Sequence, residues 1–324
     1  MNRIMRSPSV RTTLSSLFHA LQSGLHVSIT PSHFYFPVPD LNSFRGKDWK
    51  ERRPCSGIDF HFDEQIYRLQ HDLAPYLAEC KFPESPISNN GHRTFHFNNG
   101  FFEHVDAEIA YAFVRRNKPR RIIEIGSGNT TMVLAAALGA NKKEGFPGEL
   151  ISIEPHPAPY LKHGIDGLNQ LIEKPVQQVP LEFFHQLEAN DILFIDSTHV
   201  VSVDSDVLYE CLRILPELRE GVLVHLHDIF TPLDYPQKFV MTNLCFWGEQ
   251  YMLEAFLAFN QAFRVVWSAS ALQDGYWNEL ETAIPGWKDS YTRMPAQLKI
   301  YAPTLDGKNV WPNSFWIERV ALKP

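Results

Sequence analysis

The chain has 324 residues, enough for about two domains of roughly 150 residues each or for one α/β domain with an appended piece. Apolar residues at 44% and charged residues at 21% allow a large core and exclude overall disorder. The net charge of −7, with His counted neutral, argues against a dedicated nucleic-acid binder, which needs a concentrated basic face.

The first 39 residues hold no Asp or Glu, while Arg3, Arg6 and Arg11 lie among serines, a weak transit-peptide composition. No cleavage signal or secretory h-region is visible. Leu14, Leu17, Phe18, Leu21 and Leu25 at helical spacing favour a short amphipathic helix instead. Prolines interrupt regular structure over residues 30–60. Ile66, Leu69, Leu73 and Leu77 then mark a helix over 62–80, followed by a loop over 82–102. Residues 1–103 read as an extension packed on the main domain of residues 104–324, because they hold too few periodic elements for an independent core.

From Asp106 the pattern becomes regular. A helix ends at Pro119, and RRIIEI (120–125) is a first strand. A helix follows over 129–139, then a strand at 149–154, a helix over 156–171 and a third strand at PVQQV (175–179). DILFID (191–196) is the fourth strand, followed by a helix over 203–218, and GVLVHLHD (221–228) is the fifth. A helix over 248–260, a strand at 263–268 and a last strand within 314–322 complete the pattern. Strands alternating with helices predict a mainly parallel sheet covered on both faces. Ligands of such sheets bind beyond the carboxyl ends of the strands.

Cys55, Cys80, Cys211 and Cys245 form no CxxC pair and are too few for a disulfide scaffold. Cys211, in an apolar helical run, reads as a small core residue. No apolar run approaches a membrane span. The chain is therefore expected to be soluble, in a reducing compartment such as the cytoplasm, without a membrane or nucleic-acid partner.

The first strand runs into Glu124-Ile125-Gly126-Ser127-Gly128-Asn129-Thr130-Thr131. Gly126 and Gly128 permit a tight turn and close approach of backbone to a ligand. The helix behind them offers free N–H groups to an anion. Thr131 stands where a dinucleotide fingerprint wants its third glycine, which counts against a nicotinamide oxidoreductase, and no Walker Gly-Lys-Ser/Thr ending is present. Glu154, ending the second strand 26 residues after Gly128, is placed to accept the two hydroxyls of a ribose.

IIEIGSGNTT, with ISIEP and FID, resembles a class I S-adenosylmethionine-dependent methyltransferase. DAEIAYAFVRRNKPRRIIEIGSGNTT and the N-terminal HFYFPVPD are similar to a small-molecule branch of that family. The resemblance implies a Rossmann-like, mainly parallel seven-stranded sheet of order 3-2-1-4-5-7-6, with strand seven antiparallel and helices on both faces. It implies S-adenosylmethionine as methyl donor. Glu124, Gly126, Ser127, Gly128, Thr130, Thr131, Glu154 and Asp196 are the cofactor-binding candidates, with adenine near Pro180–Glu182.

The fourth strand ends in Asp196-Ser197-Thr198-His199 and the fifth in His225-Leu226-His227-Asp228. Neighbouring parallel strands lie about 4.8 Å apart, so these ends converge. The pattern resembles metal-dependent O-methyltransferases, including those acting on macrolide sugars, with His199 aligned on their D-x-x-H. That implies Asp196, His227 and Asp228 as ligands of a divalent ion that orients a substrate hydroxyl. A histidine at 227 replaces the family's first carboxylate, which disfavours Mg²⁺ and suits Mn²⁺, Fe²⁺ or Zn²⁺ better. Metal-free catalysis with His199 or His227 as base is equally open. His199, His227 and Asp228 are the catalytic candidates, and His225 reads as a hydrogen-bonded core histidine.

After Asp228, the proline-rich IFTPLDYPQKFV is either a lid or a packed crossover, with Trp247, Glu249 and Tyr251 as wall candidates. His92, Phe95, Phe97 and Phe101 are candidates for the other wall. The sequence thus points to a methyltransferase acting on the oxygen of a small molecule, with a non-catalytic cofactor-binding module as the competing reading.

Overall fold

The computed structural model describes residues 8–25, 37–86, 93–289, 293, 304–305, 308–309 and 312–322. His92 and residues 33–36 of HFYFPVPD lie outside the described residues. The chain divides into two compact units, Met1–Asp48 and Trp49–Pro324. In the first, α1 (Pro8–Leu25) covers the expected helix, with Leu17 and Leu25 exposed. No described helix is long and apolar enough to cross a membrane.

The second unit is built on one sheet. Its strands are β1 (Arg121–Ile125), β2 (Glu149–Ile153), β3 (Gln170–Ile172), β4 (Ile192–Ile195), β5 (Leu223–Leu226), β6 (Phe263–Ser268) and β7 (Phe315–Arg319). Their spatial order is β3-β2-β1-β4-β5-β7-β6. The first five strands pair in parallel, and β7 runs antiparallel to both β5 and β6. This is the sheet implied by the resemblance.

Alternation along the strands sends neighbouring side chains to opposite faces. Ile122, Ile192, Phe194 and Trp316 join one apolar cluster; Ile123, Ile125, Leu193, Ile195 and Val224 join another. The first cluster packs under α4 (Asp106–Asn117) and α5 (Asn129–Lys143), preceded in the chain by α2 (Phe62–Tyr67) and α3 (Ala74–Glu79). A wide turn at Arg68–Asp72 joins α2 to α3, and Leu69, Leu73 and Leu77 are buried as their spacing predicts. The second cluster packs against α7 (Asp206–Tyr209), a wide turn at Glu210–Ile214, α8 (Leu215–Glu217) and α10 (Glu249–Leu257), which follows the short α9 (Gln237–Met241) in the chain. Cys211 is buried in it.

Two expected elements are corrected. The helix expected over 156–171 shrinks to α6 (Pro159–Lys162), because Gly164 and Gly167 adopt φ of +93° and +92° and end it. The third strand is Gln170–Ile172, not PVQQV. Pro175 starts a 3₁₀ turn at Val176–Gln178, and the apolar Val176 and Val179 follow its three-residue period, which places both inside.

Candidate functional site

Glu124, on β1, is fully buried. Thr130 Oγ1 donates to its Oε1 at 2.7 Å and Thr131 Oγ1 to its Oε2 at 2.8 Å, while Ser152 on β2 donates to the same carboxylate. Burial, opposed by those three hydrogen bonds, raises its pKa to about 7. Glu124, Thr130 and Thr131 therefore form an internal brace that locks the start of α5 to β1 and β2.

The glycine loop lies on that brace. Gly126 has φ +79°, and a Cβ there would stand 1.9 Å from the carbonyl oxygen of Asp196. Only glycine lets the ends of β1 and β4 come this close. A Cβ on Gly128 would meet only Tyr160 Oη at 3.9 Å, so the space before it is open. Glu154 holds the loop from β2: its Oε1 accepts from His156 N at 2.7 Å and its Oε2 from Ser127 N at 3.3 Å.

Gly126, Ser127, Gly128, Thr130, Glu154 and Asp196 share one cavity of about 360 Å³. The size falls in the range of about 300–1,000 Å³ typical of small-molecule sites. Arg93, Phe101, Phe102, Asn129 and Tyr160 complete the wall; Phe101 is among the wall candidates read from the sequence, and the other four are not. Phe101 and Phe102 are held there by a tightly bonded turn. Asn99 Oδ1 accepts from their amides at 2.8 and 2.9 Å, and buried Glu103 accepts from Asn98 N at 2.8 Å and Gly100 N at 2.7 Å. The expected Phe95 and Phe97 pack in the core instead. Pro180–Glu182, expected near adenine, stands elsewhere: Glu182 lines a cleft with Arg120 and Glu149, at the amino ends of β1 and β2.

Beyond Asp196, His199 is buried and adopts φ +61°. Its Nδ1 is 2.6 Å from Glu249 Oε2, and its Nε2 is 3.5 Å from Asp228 Oδ2 and 3.7 Å from Asp196 Oδ1. Glu249 opens α10, whose N-terminal amides, Gly248 N and Glu249 N, bond to the His199 carbonyl. Burial alone lowers the His199 pKa, but the Glu249 hydrogen bond and charge, then Asp228 and Asp196, outweigh it and raise it to about 10. Trp247 packs against the ring at 4.5 Å.

Asp228, at φ +54°, is anchored through Oδ1 by Asn313 Nδ2 at 2.7 Å. Asn313 N and Ser314 N in turn donate to buried Asp106 at 3.0 Å each. His227 is buried behind Phe102, with no hydrogen-bond partner at Nδ1; burial lowers its pKa, but Asp196, Asp228 and Asp106 raise it overall. His225 is a core residue but not the hydrogen-bonded one expected: neither ring nitrogen has a well-formed partner, and the ring stacks flat on Phe194 at 3.7 Å.

Among the described residues, no three His, Cys, Asp or Glu side chains are grouped to hold a metal ion. Asp196 and Asp228 both face His199 Nε2, Asp196 Oδ1 at 3.7 Å and Asp228 Oδ2 at 3.5 Å. Asp196, His227 and Asp228 thus share a neighbourhood without forming an ion cradle.

The proline-rich segment after Asp228 packs as a crossover. Phe230, Tyr235 and Phe239 form their own apolar cluster with Trp247. Arg53 pairs with Asp234 and Glu254, which fastens the segment to α10.

Three comparisons bear on this site. A family model described as a methyltransferase domain matches residues 123–229, from β1 to just past Asp228. An uncharacterized protein of Archaeoglobus fulgidus is 37% identical over 170 residues, covering 50% of this chain and 75% of that protein. Two solved structures cover 87% of this chain and 96% of their own, both at 16% identity: CmcI-N160 in its apo form, with TM-score 0.37, and CmcI-D160 with Mg and SAM, with TM-score 0.34. A putative protein-L-isoaspartate O-methyltransferase of Plasmodium falciparum, with S-adenosyl-L-homocysteine, reaches 15% identity and TM-score 0.27 over 50% of this chain and 75% of its own. Likenesses that weak carry no argument. Residues 123–229 match the methyltransferase-domain family, and the sheet order is the one that the resemblance to class I S-adenosylmethionine-dependent methyltransferases implies.

Proposed function

We propose that the enzyme transfers the methyl group of S-adenosylmethionine to a hydroxyl oxygen of a small molecule. One observation carries this reading: Asp196 lines the cavity beside the glycine loop and also stands 3.7 Å from His199 Nε2. Donor site and proton-handling site therefore meet at one side chain.

The donor's ribose hydroxyls bond to Glu154, and its amino-acid end lies along Gly126–Gly128. The acceptor oxygen attacks the methyl carbon as the carbon–sulfur bond breaks, and the electron pair of that bond returns to sulfur. Holding the three atoms in line supplies much of the rate. His199 takes the hydroxyl proton at Nε2, because Glu249 holds Nδ1 and fixes the ring's orientation and tautomer. In the resting site the imidazole is protonated, so the reactive fraction is the neutral form. His227, with an unpartnered Nδ1, and Asp228 are the adjoining proton-handling groups.

Val200, Val201, Val203 and Leu244 are exposed, and the three valines follow His199 in the chain. They suit an acceptor with an apolar body. A divalent ion does not fit this arrangement of side chains, and no step is routed through one. The test is incubation with S-adenosylmethionine and a panel of small hydroxyl compounds. Formation of S-adenosylhomocysteine together with a methyl ether supports the proposal; cofactor binding without turnover across the panel favours a binding module.

A further inference from the structure

The donor cavity carries a cation that the reading above leaves unused. Arg93 lines the cavity together with Ser127 and Asn129. Its guanidinium lies over the Tyr160 ring at 4.4 Å, and Nη2 donates to Asn129 Oδ1 at 3.3 Å. Neither partner is negatively charged, and among the described residues no carboxylate pairs with Arg93. Asn129 is the first residue of the 15-residue α5, so the guanidinium stands at the positive end of a helix. Two positive features in one place, with no acid between them, favour an incoming anion. The hydroxyl of Ser127, in the same wall, is buried and unpartnered.

The charges of the remaining wall have the other sign. Glu154 and Asp196 are its acids. S-adenosylmethionine matches this division: its sulfonium and ribose suit acids, and its single anionic group is the α-carboxylate. We infer that Arg93 is the counter-ion of the donor's α-carboxylate, with the guanidinium face resting on Tyr160 and its edge turned to the carboxylate. This inference rests on the donor reading of the cavity. Arginine suits the task because its planar fork meets a carboxylate with two parallel N–H bonds while its face stacks on an aromatic ring.

Arg93 lies before the sheet begins, in the segment that also supplies Phe101 and Phe102 to the wall. Asn129 Nδ2 donates to Asn99 Oδ1 at 3.3 Å, which ties this segment to the start of α5. Donor recognition is thus completed from outside the residues that carry the glycine loop and Glu154.

The experiment compares two ligands on three proteins by calorimetry. The ligands are S-adenosylmethionine and its decarboxylated analogue, S-adenosyl-3-methylthiopropylamine. The proteins are the unmodified chain, Arg93→Met and Arg93→Lys. The unmodified chain should prefer the carboxylate-bearing donor by about tenfold or more, as a charge-assisted hydrogen bond predicts. Arg93→Met should erase that preference while leaving affinity for the analogue nearly unchanged, and Arg93→Lys should restore part of it. Equal weakening of both ligands by Arg93→Met, or no weakening of either, would overturn the inference. Failure of the unmodified chain to bind either ligand would instead remove the donor reading beneath it.

Discussion

His199 and Glu249, fifty residues apart in sequence, meet at 2.6 Å in the interior of the enzyme. The pair lies between β4 and α10, with Asp196 and Asp228 on the other side of the imidazole. A buried ring held this way has one nitrogen committed and one nitrogen facing two acids. That geometry defines what removal of each partner should do.

His199→Ala should lower kcat by about 10²–10⁴-fold, the usual contribution of a positioned base. The Kd for S-adenosylmethionine should change little, because His199 does not line the donor cavity. Single-turnover kinetics with separate calorimetry checks both quantities. Normal turnover at saturating donor would remove His199 from the chemistry.

The pH profile follows from the raised His199 pKa. The neutral imidazole is the reactive form, so its fraction grows as pH rises toward about 10. The logarithm of kcat/KM should therefore climb with pH between 7 and 9, with slope close to one. Glu249→Gln removes the largest interaction that raises this pKa, so the rising limb should move to lower pH. A flat profile in the unmodified enzyme would contradict the assignment.

Gly126→Ala tests the backbone crossing at the donor site. The added methyl would overlap the Asp196 carbonyl, and φ +79° is unfavourable for alanine. A stability loss of about 3 kcal/mol or more is expected from strain and overpacking together, with loss of donor binding. Denaturant melts and calorimetry measure the two effects. A variant as stable as the parent would mean that β1 and β4 do not approach as described.

Much of this site is legible in the sequence because its residues are close in sequence or sit at strand ends. The alternating apolar residues of β1, β4 and β5 reveal both faces of the sheet, and the glycine loop follows β1 directly. Glu154 and Asp196 are found as the last residues of apolar runs. Arg93, Tyr160, Asn313 and the pairing role of Glu249 are not found this way. They reach the site through loops and a crossover, whose folded positions no local periodicity encodes. The displaced third strand has a similar cause: the valines of PVQQV are apolar in either a strand or a turn, and Pro175 decides for the turn. Glu124 shows a third case. Its position before the glycines suggests cofactor contact, whereas its partners are Thr130, Thr131 and Ser152.

That internal role predicts a pH effect on stability. The folded pKa of Glu124 is raised from 4.5 to about 7, chiefly by burial. Its contribution to stability is therefore full below the unfolded value and is lost as pH rises through about 7. Glu124→Gln cannot titrate, so its stability relative to the parent should improve by up to about 3 kcal/mol between pH 4 and 8. Urea melts at both pH values give the difference. A constant difference would show that Glu124 has the same pKa in the folded and unfolded states.

Chelation separates the side-chain reading from a metal-assisted one. Because no three ligating side chains are grouped among the described residues, extensive treatment with a chelator should leave kcat within about twofold. Adding Mg²⁺, Mn²⁺, Fe²⁺ or Zn²⁺ afterwards should give no further increase. A large loss restored by one of these ions would show that the site rearranges around it.

The most direct measurement of the central claim is a crystal structure with bound S-adenosylhomocysteine. The account predicts the nucleoside product in the cavity between the glycine loop and Tyr160, its ribose on Glu154 and its sulfur turned toward Asp196 and His199. A product seated in the cleft beside Arg120 and Glu149, or with its ribose away from Glu154, would contradict it.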